Sequence, residues 1–359
     1  MKFICAFDSF KGCMTAREAC HSATSGLQEG YPDAEVVCLP MSDGGEGMVD
    51  CIAEAVGAKM VSVKVHDPLM QMIEARYAVS ADGTTAYMEM AAASGLSLVP
   101  KDKRNPMLTT TYGVGDMILD AVERGCKKIV MGIGGSATCD GGKGMIECLE
   151  RRRGQRLEEE SQDHLPLPVE IIVASDVSNP LYGENGAAYI FAPQKGATQE
   201  QVEFLDEQLR RFAQETEAKG IALPDLAHHP GAGAAGGLGY GLMAYLGAKL
   251  ESGIDLILDT IRFDEQIKGA KFILTGEGKS DKQTLMGKVA KGILKRAKMR
   301  GIPVHLLSGA IEDESELKEA GFASIQSINE NDNRPLEVLM HKDVAMENLK
   351  ETTINHIIK

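Results

Sequence analysis

Gly132-Ile133-Gly134-Gly135-Ser136-Ala137-Thr138-Cys139-Asp140-Gly141-Gly142 decides how this chain is read. Lys128-Ile129-Val130-Met131 before it is a short apolar run of the kind that forms a buried strand. Met145, Ile146 and Leu149 after it fall at helical spacing. The glycines therefore sit where a strand turns into a helix. Glycine reaches positive φ at little cost and lets another group approach the backbone. Two readings of such a loop stand side by side. One is a tight βα turn that binds nothing. The other is a nest of N–H groups at a helix N-terminus that takes a phosphate, a contact worth ~0.3–2 kcal/mol from the helix end. Ser136 and Thr138 add hydroxyls and Asp140 a carboxylate, which tips the choice towards phosphate or metal. The pattern is neither a P-loop nor a dinucleotide fingerprint.

Upstream, residues 2–7 read as a strand ending at Asp8-Ser9-Phe10-Lys11-Gly12. Thr15 and Glu18 then form a capping box for a helix to about Leu27. A second strand, 34–39, runs into Pro40-Met41-Ser42-Asp43-Gly44-Gly45-Glu46-Gly47 and a helix over 48–56. Open α/β sheets bind ligands at the carboxyl ends of their strands, which makes Asp8, Ser9, Lys11 and Asp43 candidates. Solvated turns, with Asp43 as a helix cap, are the plainer alternative. A third strand, 60–65, is broken by Asp67-Pro68-Leu69. The strands 73–79 and 84–90, joined by Ala81-Asp82-Gly83, then read as a hairpin. The change of pattern predicts a domain boundary near 66–68. Thr109-Thr110-Thr111-Tyr112-Gly113 opens a helix to about Arg124, as caps or as hydroxyls for a ligand.

Downstream, the charged run 150–164 reads as a solvated helix end and loop. A strand at 169–174 ends at Ser175-Asp176-Val177-Ser178-Asn179-Pro180. Asp176 and Asn179 there can hold Mg²⁺ or a substrate hydroxyl, or make an Asx turn. Gln194 and Lys195 are phosphate or carboxylate contacts, or surface polarity. The helix 199–219 buries Val202, Leu205, Leu209 and Phe212. A second glycine-rich loop, Pro230-Gly231-Ala232-Gly233-Ala234-Ala235-Gly236-Gly237-Leu238-Gly239, admits close approach of a ligand or of another helix. Near 263 the βα rhythm returns. The strand 271–274 ends at Thr275-Gly276-Glu277-Gly278-Lys279-Ser280-Asp281, and a helix over 283–299 carries Lys288 in its early turns, placed to meet an anion.

At 359 residues the chain exceeds what one core serves, so two domains are expected. A formal net charge of −14 argues against nucleic acid or an anionic membrane as partner. It also requires any anionic substrate to find a locally basic, N–H-rich pocket. The eight cysteines form no CxxC pair, which reads as reduced thiols in a cytoplasmic protein. No signal peptide is legible, and the uncharged stretch 231–248 is too glycine-rich for a lipid-facing helix.

Taken together and in order, these motifs resemble the type-1 glycerate kinases. The organising loop is similar to that family's GIGGSATNDGG, with Cys139 in place of Asn. DSFKG at 8–12, SDGGEG at 42–47, EMAAASGL at 89–96, TTTYG at 109–113, PQKGA at 193–197, GAGAAGGLG at 231–239 and TGEGKSDKQT at 275–284 extend the match. A proline usual after Gly287-Lys288 is missing. The resemblance implies an α/β enzyme with a Rossmann- or flavodoxin-like parallel sheet built from both chain ends, 1–66 and 264–359. A second α/β domain, 67–263, is inserted, and the active site lies in the cleft between them. It implies ATP-dependent phosphorylation of D-glycerate to 2-phospho-D-glycerate with Mg²⁺, and admits a homodimer.

Catalysis then falls to Asp176, Asp43, Asp8, Lys11 and Lys288, with Asp176 or Asp43 expected nearest the hydroxyl. Nucleotide contacts fall to Gly134, Gly135, Ser136, Thr138, Gly233, Gly236, Gly237 and Lys195. Substrate contacts fall to Ser9, Glu89, Ser94, Thr110, Thr111 and Glu277, and the metal to Asp140 and Asp281. Transfer to the 3-hydroxyl is the alternative outcome. A non-catalytic nucleotide sensor is weakly disfavoured by the density of charged strand ends. A dinucleotide-dependent oxidoreductase of a small hydroxy acid is the remaining rival, disfavoured because Leu39-Pro40 stands where a ribose-binding acid is needed.

Overall fold

The structure, a computed structural model, describes residues 1–45, 47–156, 167–330 and 332–355, with the side chains of 152–156 outside that description. In chain order its strands are β1 (Lys2–Cys5), β2 (Glu35–Cys38), β3 (Lys59–His66), β4 (Met72–Val79), β5 (Thr85–Glu89), β6 (Lys128–Gly132), β7 (Glu170–Ala174), β8 (Lys249–Glu251), β9 (Ile273–Thr275), β10 (Lys279–Ser280), β11 (Val304–Ser308), β12 (Ala310–Ile311) and β13 (Ser324–Ser327). The chain divides into two compact units, Met1–Asp43 with Ile254–Lys359, and Gly44–Gly253.

The first unit is a five-stranded sheet in the order β13-β11-β9-β1-β2, parallel throughout. From β1 the chain steps to β2 on one side. It returns through β9 on the other side and continues outward to β11 and β13. The winding thus reverses between β1 and β9, which makes their carboxyl ends a topological switch point. Alternation along the strands sends Phe3, Cys5, Phe7, Leu274 and Leu307 to one face. There Ala19, Cys20, Ala23 and Leu27 of the helix Ala16–Gly30 cover them, with Ala345 and Leu349 of the helix Lys342–Thr353. Ile4, Ile273 and Leu306 are buried on the opposite face, and the helix Val289–Lys298 packs against β9 and β11. The expected Thr15–Glu18 capping box is formed, each side chain taking the other's backbone N–H.

The second unit is a six-stranded sheet in the order β3-β4-β5-β6-β7-β8, antiparallel from β3 to β5 and parallel from β5 to β8. Its strands follow one another across the sheet in chain order, so the winding never reverses. Met88, Met131 and Val173 on the strands meet Met117, Ile118, Met145 and Leu149 from the helices Tyr112–Glu123 and Lys143–Arg156 in one core.

Two expectations need correction. The break at Asp67-Pro68-Leu69 is a hairpin turn and not a domain boundary. β3 pairs with β4 along its whole length, and Asp67 Oδ1 accepts the N–H groups of Leu69 and Gln71 at 2.8 Å each. The division falls at 43/44 and 253/254 instead of 66/67 and 263/264. The helix expected over 283–299 is split: Lys282–Leu285 forms a short 3₁₀ turn and the α-helix starts only at Val289, because Gly287 adopts φ +92° between them. The charged run lies outside the described residues from 157 to its end.

Candidate functional site

The site is clearest at the switch point. Past β1 the backbone keeps its ladder, Ala6 N–H to Leu274 O at 2.8 Å and Asp8 N–H to Gly276 O at 3.0 Å. Gly276 allows the next layer to close: a Cβ there would lie 1.6 Å from Leu307 O. Asp8 is thereby held 7% exposed at the carboxyl end of the sheet, with its Oδ1 accepting from Ser9 N–H at 2.6 Å. Burial first, then the nearby charge of Asp43, pushes the Asp8 carboxyl up to about 7. Glu277 adds to the rise, while the Ser9 N–H and Lys11 oppose it.

Glu277, 8% exposed, is fixed at both oxygens. Its Oε1 accepts from Thr284 Oγ1 at 2.6 Å and Ser280 Oγ at 3.2 Å, and its Oε2 lies 3.6 Å from Lys288 Nζ. Ser308 Oγ shares a 2.8 Å hydrogen bond with Ser280 Oγ and accepts from Glu277 N–H at 3.4 Å. Lys288 occupies the N-cap of Val289–Lys298, not its early turns, so its side chain is free to turn back to Glu277. The structure therefore gathers Asp8, Ser9, Lys11, Asp43, Glu277 and Lys288 at one end of one sheet. Asp281 stands beside them as a cap: its Oδ1 accepts Gln283 N–H at 2.7 Å and starts the turn Lys282–Leu285. Ser280, Thr284 and Ser308 were not singled out from sequence. For the first two the available signal was their place within the decamer TGEGKSDKQT.

The second unit uses its expected site residues differently. Asp140 is a helix cap. Its Oδ2 accepts Thr111 N–H, Thr111 Oγ1 and Gly144 N–H at 2.9, 2.8 and 3.2 Å, and its Oδ1 accepts Gly142 N–H at 3.1 Å. Thr111 Oγ1 in turn accepts Met145 N–H at 3.0 Å. The N-terminus of Lys143–Arg156 thus already holds its anion, and it is this carboxylate. Within the loop Gly134 and Gly135 are exposed, whereas Ser136 and Thr138 are buried. Lys195, 2% exposed, donates to Ser136 Oγ and to Thr138 O, both at 2.7 Å. Burial holds its ammonium down to about 8, with Cys139 and Asp140 opposing. It is an internal strut of the loop and not a surface contact.

The second glycine-rich loop lies backbone on backbone against the first. Gly141 N–H donates to Gly236 O at 3.0 Å. A Cβ on Gly236 would meet Thr138 O at 2.0 Å, one on Gly237 would meet Gly141 Cα at 2.9 Å, and one on Gly233 would meet Pro180 O at 2.2 Å. All three are buried against protein. Glu89 caps the helix Met48–Val56 through Val49 N–H at 2.9 Å, the role that the plainer reading of the sequence gave to Asp43. Ser94 Oγ donates to Thr110 O at 3.2 Å, and Thr110 Oγ1 accepts Tyr112 N–H at 3.2 Å. Asp176 is exposed and its Oδ1 accepts Gly253 N–H at 3.0 Å, at the start of the helix Gly253–Thr260.

Among the described residues no group of three or more His, Cys, Asp or Glu side chains could hold a metal ion. The two carboxylates expected to do so, Asp140 and Asp281, are occupied as caps. No described helix is long and apolar enough to cross a membrane.

A doubly wound parallel sheet that gathers a buried carboxyl and two lysines at its switch point has the architecture of an α/β enzyme. Residues 3–358 match the glycerate kinase family, and the chain belongs to it. It is 44% identical over 325 residues to the glycerate kinase of Halalkalibacterium halodurans, covering 86% of this chain and 85% of that one. It is 40% identical over 331 residues to the glycerate 2-kinase of Escherichia coli, covering 88% and 86%. A crystal structure assigned to glycerate kinase 2 of Salmonella typhimurium LT2 matches with a TM-score of 0.84 at 37% identity, over 99% of this chain and 96% of that one. The chain is thus an enzyme of the glycerate kinase type.

Proposed function

We propose that this kinase transfers the γ-phosphoryl group of ATP to the 2-hydroxyl of D-glycerate, with Asp8 as the general base. The observation that carries this reading is the Asp8 carboxyl, buried at the β1/β9 switch point and raised to about 7 by its burial and its acidic neighbours. A base works best when its pKa lies near the working pH. Asp8 takes the hydroxyl proton, the freed oxygen attacks the γ-phosphorus, and the bond to the β-phosphate oxygen breaks to release ADP. Asp8 then loses the proton to water. Lys11 and Lys288 supply positive charge at the same sheet end, where charge neutralisation is most of what phosphoryl transfer needs.

The assignment prefers Asp8 to Asp176, whose carboxylate is exposed and engaged at a helix start. Among the described residues no carboxylate cage fits Mg²⁺. The ion enters this reading on the donor's phosphates, as Mg²⁺ commonly does. The choice of the 2-hydroxyl follows the relative named glycerate 2-kinase.

The test is a coupled ADP-release assay with D-glycerate, ATP and Mg²⁺, the product being read by phosphorus NMR. 2-Phosphoglycerate is expected. 3-Phosphoglycerate alone overturns the regiochemistry, and no ADP release overturns the donor.

A further inference from the structure

A cluster of buried hydroxyls surrounds Glu277. The carboxylate accepts two side-chain hydroxyls on one oxygen, from Thr284 at 2.6 Å and Ser280 at 3.2 Å, and Ser308 braces Ser280 from β11 at 2.8 Å. Thr284, Ser280 and Ser308 are each fully buried. Thr284 also accepts Asp281 N–H at 3.1 Å, so the hydroxyl is tied to the backbone on one side and to Glu277 on the other. Hydroxyl hydrogen bonds to a carboxylate are stronger than neutral ones and fix its plane. With Oε1 pinned, Oε2 is left pointing towards Lys288.

We propose that Thr284 is a positioning residue for phosphoryl transfer: its hydroxyl, seconded by Ser280 and Ser308, locks Glu277 in the one orientation that keeps its charge on Asp8 and its outer oxygen on Lys288. The proposal rests on the reading of Asp8 as the base. The charged groups around Asp8 are Lys11 on its own loop, Asp43 after β2 and Glu277 after β9, with Lys288 behind Glu277. Of these Glu277 is held in place by a side-chain hydroxyl network, so loosening that network should be felt at Asp8 as a weaker acidic neighbour.

The experiment is the pH profile of kcat/KM for D-glycerate in the wild type, Thr284→Val, Thr284→Ser and Glu277→Gln. The wild type should show an acid limb near pH 7. Thr284→Val should move that limb to lower pH and lower kcat about tenfold. Thr284→Ser, which keeps the donor, should restore both. In the Glu277→Gln background, Thr284→Val should have no further effect on the limb. An unmoved limb in a folded Thr284→Val, or a Thr284→Ser that behaves like it, overturns the proposal. Should Thr284→Val fail to fold, Ser280→Ala replaces it, with a smaller shift of the same sign expected and an unmoved limb counting against. A wild type with no acid limb, or an Asp8→Asn enzyme that turns over normally, defeats the base assignment instead, so the two failures are told apart.

Discussion

The two units treat similar stretches of sequence in opposite ways. Both place short loops rich in glycine, hydroxyls and acids after parallel strands. In the first unit Asp8, Asp43 and Glu277 crowd one another at one end of the sheet, where Gly276 lets the backbone close against Leu307 and buried hydroxyls fix Glu277. In the second unit Asp140, Glu89, Ser94, Thr110 and Thr111 are used up on helix ends and loop backbone, and two glycine-rich loops fill each other's space. The difference follows the winding of the sheets. Only the first reverses direction, and a reversal splays neighbouring loops apart and leaves room for a ligand. Without a reversal, successive loops fold the same way and pack.

The contrast can be broken most directly at Asp8. Asp8→Asn should lower kcat by ~10²–10⁴-fold in the ADP-release assay. It should also raise stability. A carboxyl raised from 3.8 to about 7 binds its proton more tightly in the folded state, so the wild type loses stability as pH climbs through that window. Denaturant melts at pH 8 should show the variant more stable by up to ~4 kcal/mol, with the gain fading by pH 4. Gain of stability with loss of turnover marks a group kept for chemistry. A loss of both would put Asp8 among the packing residues.

In the second unit the opposite pattern is expected. Gly236→Ala forces a side chain onto φ +69° and its Cβ to 2.0 Å from Thr138 O. It should cost on the order of 4 kcal/mol of stability while the folded fraction keeps its KM for ATP. A raised KM with unchanged stability would return this loop to the nucleotide. Lys195 gives a pH signature of its own. An ammonium held down to about 8 in the folded state and near 10.5 unfolded makes stability rise as pH climbs from 8 to 10.5, by up to ~3 kcal/mol. Lys195→Met should abolish that slope, and its persistence would show that the lysine is not the strut described. The smallest effect is at Asp140. Asp140→Asn keeps one acceptor for the helix end, so a cost of ~1–2 kcal/mol is expected, with the Mg²⁺ dependence of turnover unchanged. A shift in that dependence would make Asp140 a metal ligand after all.

Much of this molecule is legible in its sequence. Apolar alternation at 2–7 and 34–39, helical spacing at 145–149 and the Thr15–Glu18 box are local signals. Local signals survive folding, because they act within a turn or a strand. The order of the motifs identified the family, which the match over residues 3–358 bears out. The residues at 8–11, 43 and 277 are legible as following strands, whereas Lys288, read into the early turns of a helix, is its N-cap.

Tertiary structure alone decided which polar residues remain available. Asp140 and Asp8 look alike in sequence, each an acid in a loop after a strand. Asp140 finds four donors within reach, two of them from Thr111, 29 residues away, while Asp8 finds one N–H and two acidic neighbours. Glycine is equally ambiguous. Freedom from a Cβ serves a ligand or another backbone alike, and what occupies the space at Gly236 comes from a loop a hundred residues away. Partners that distant are set by sheet order, and sheet order is a property of the whole chain's packing that no short window contains.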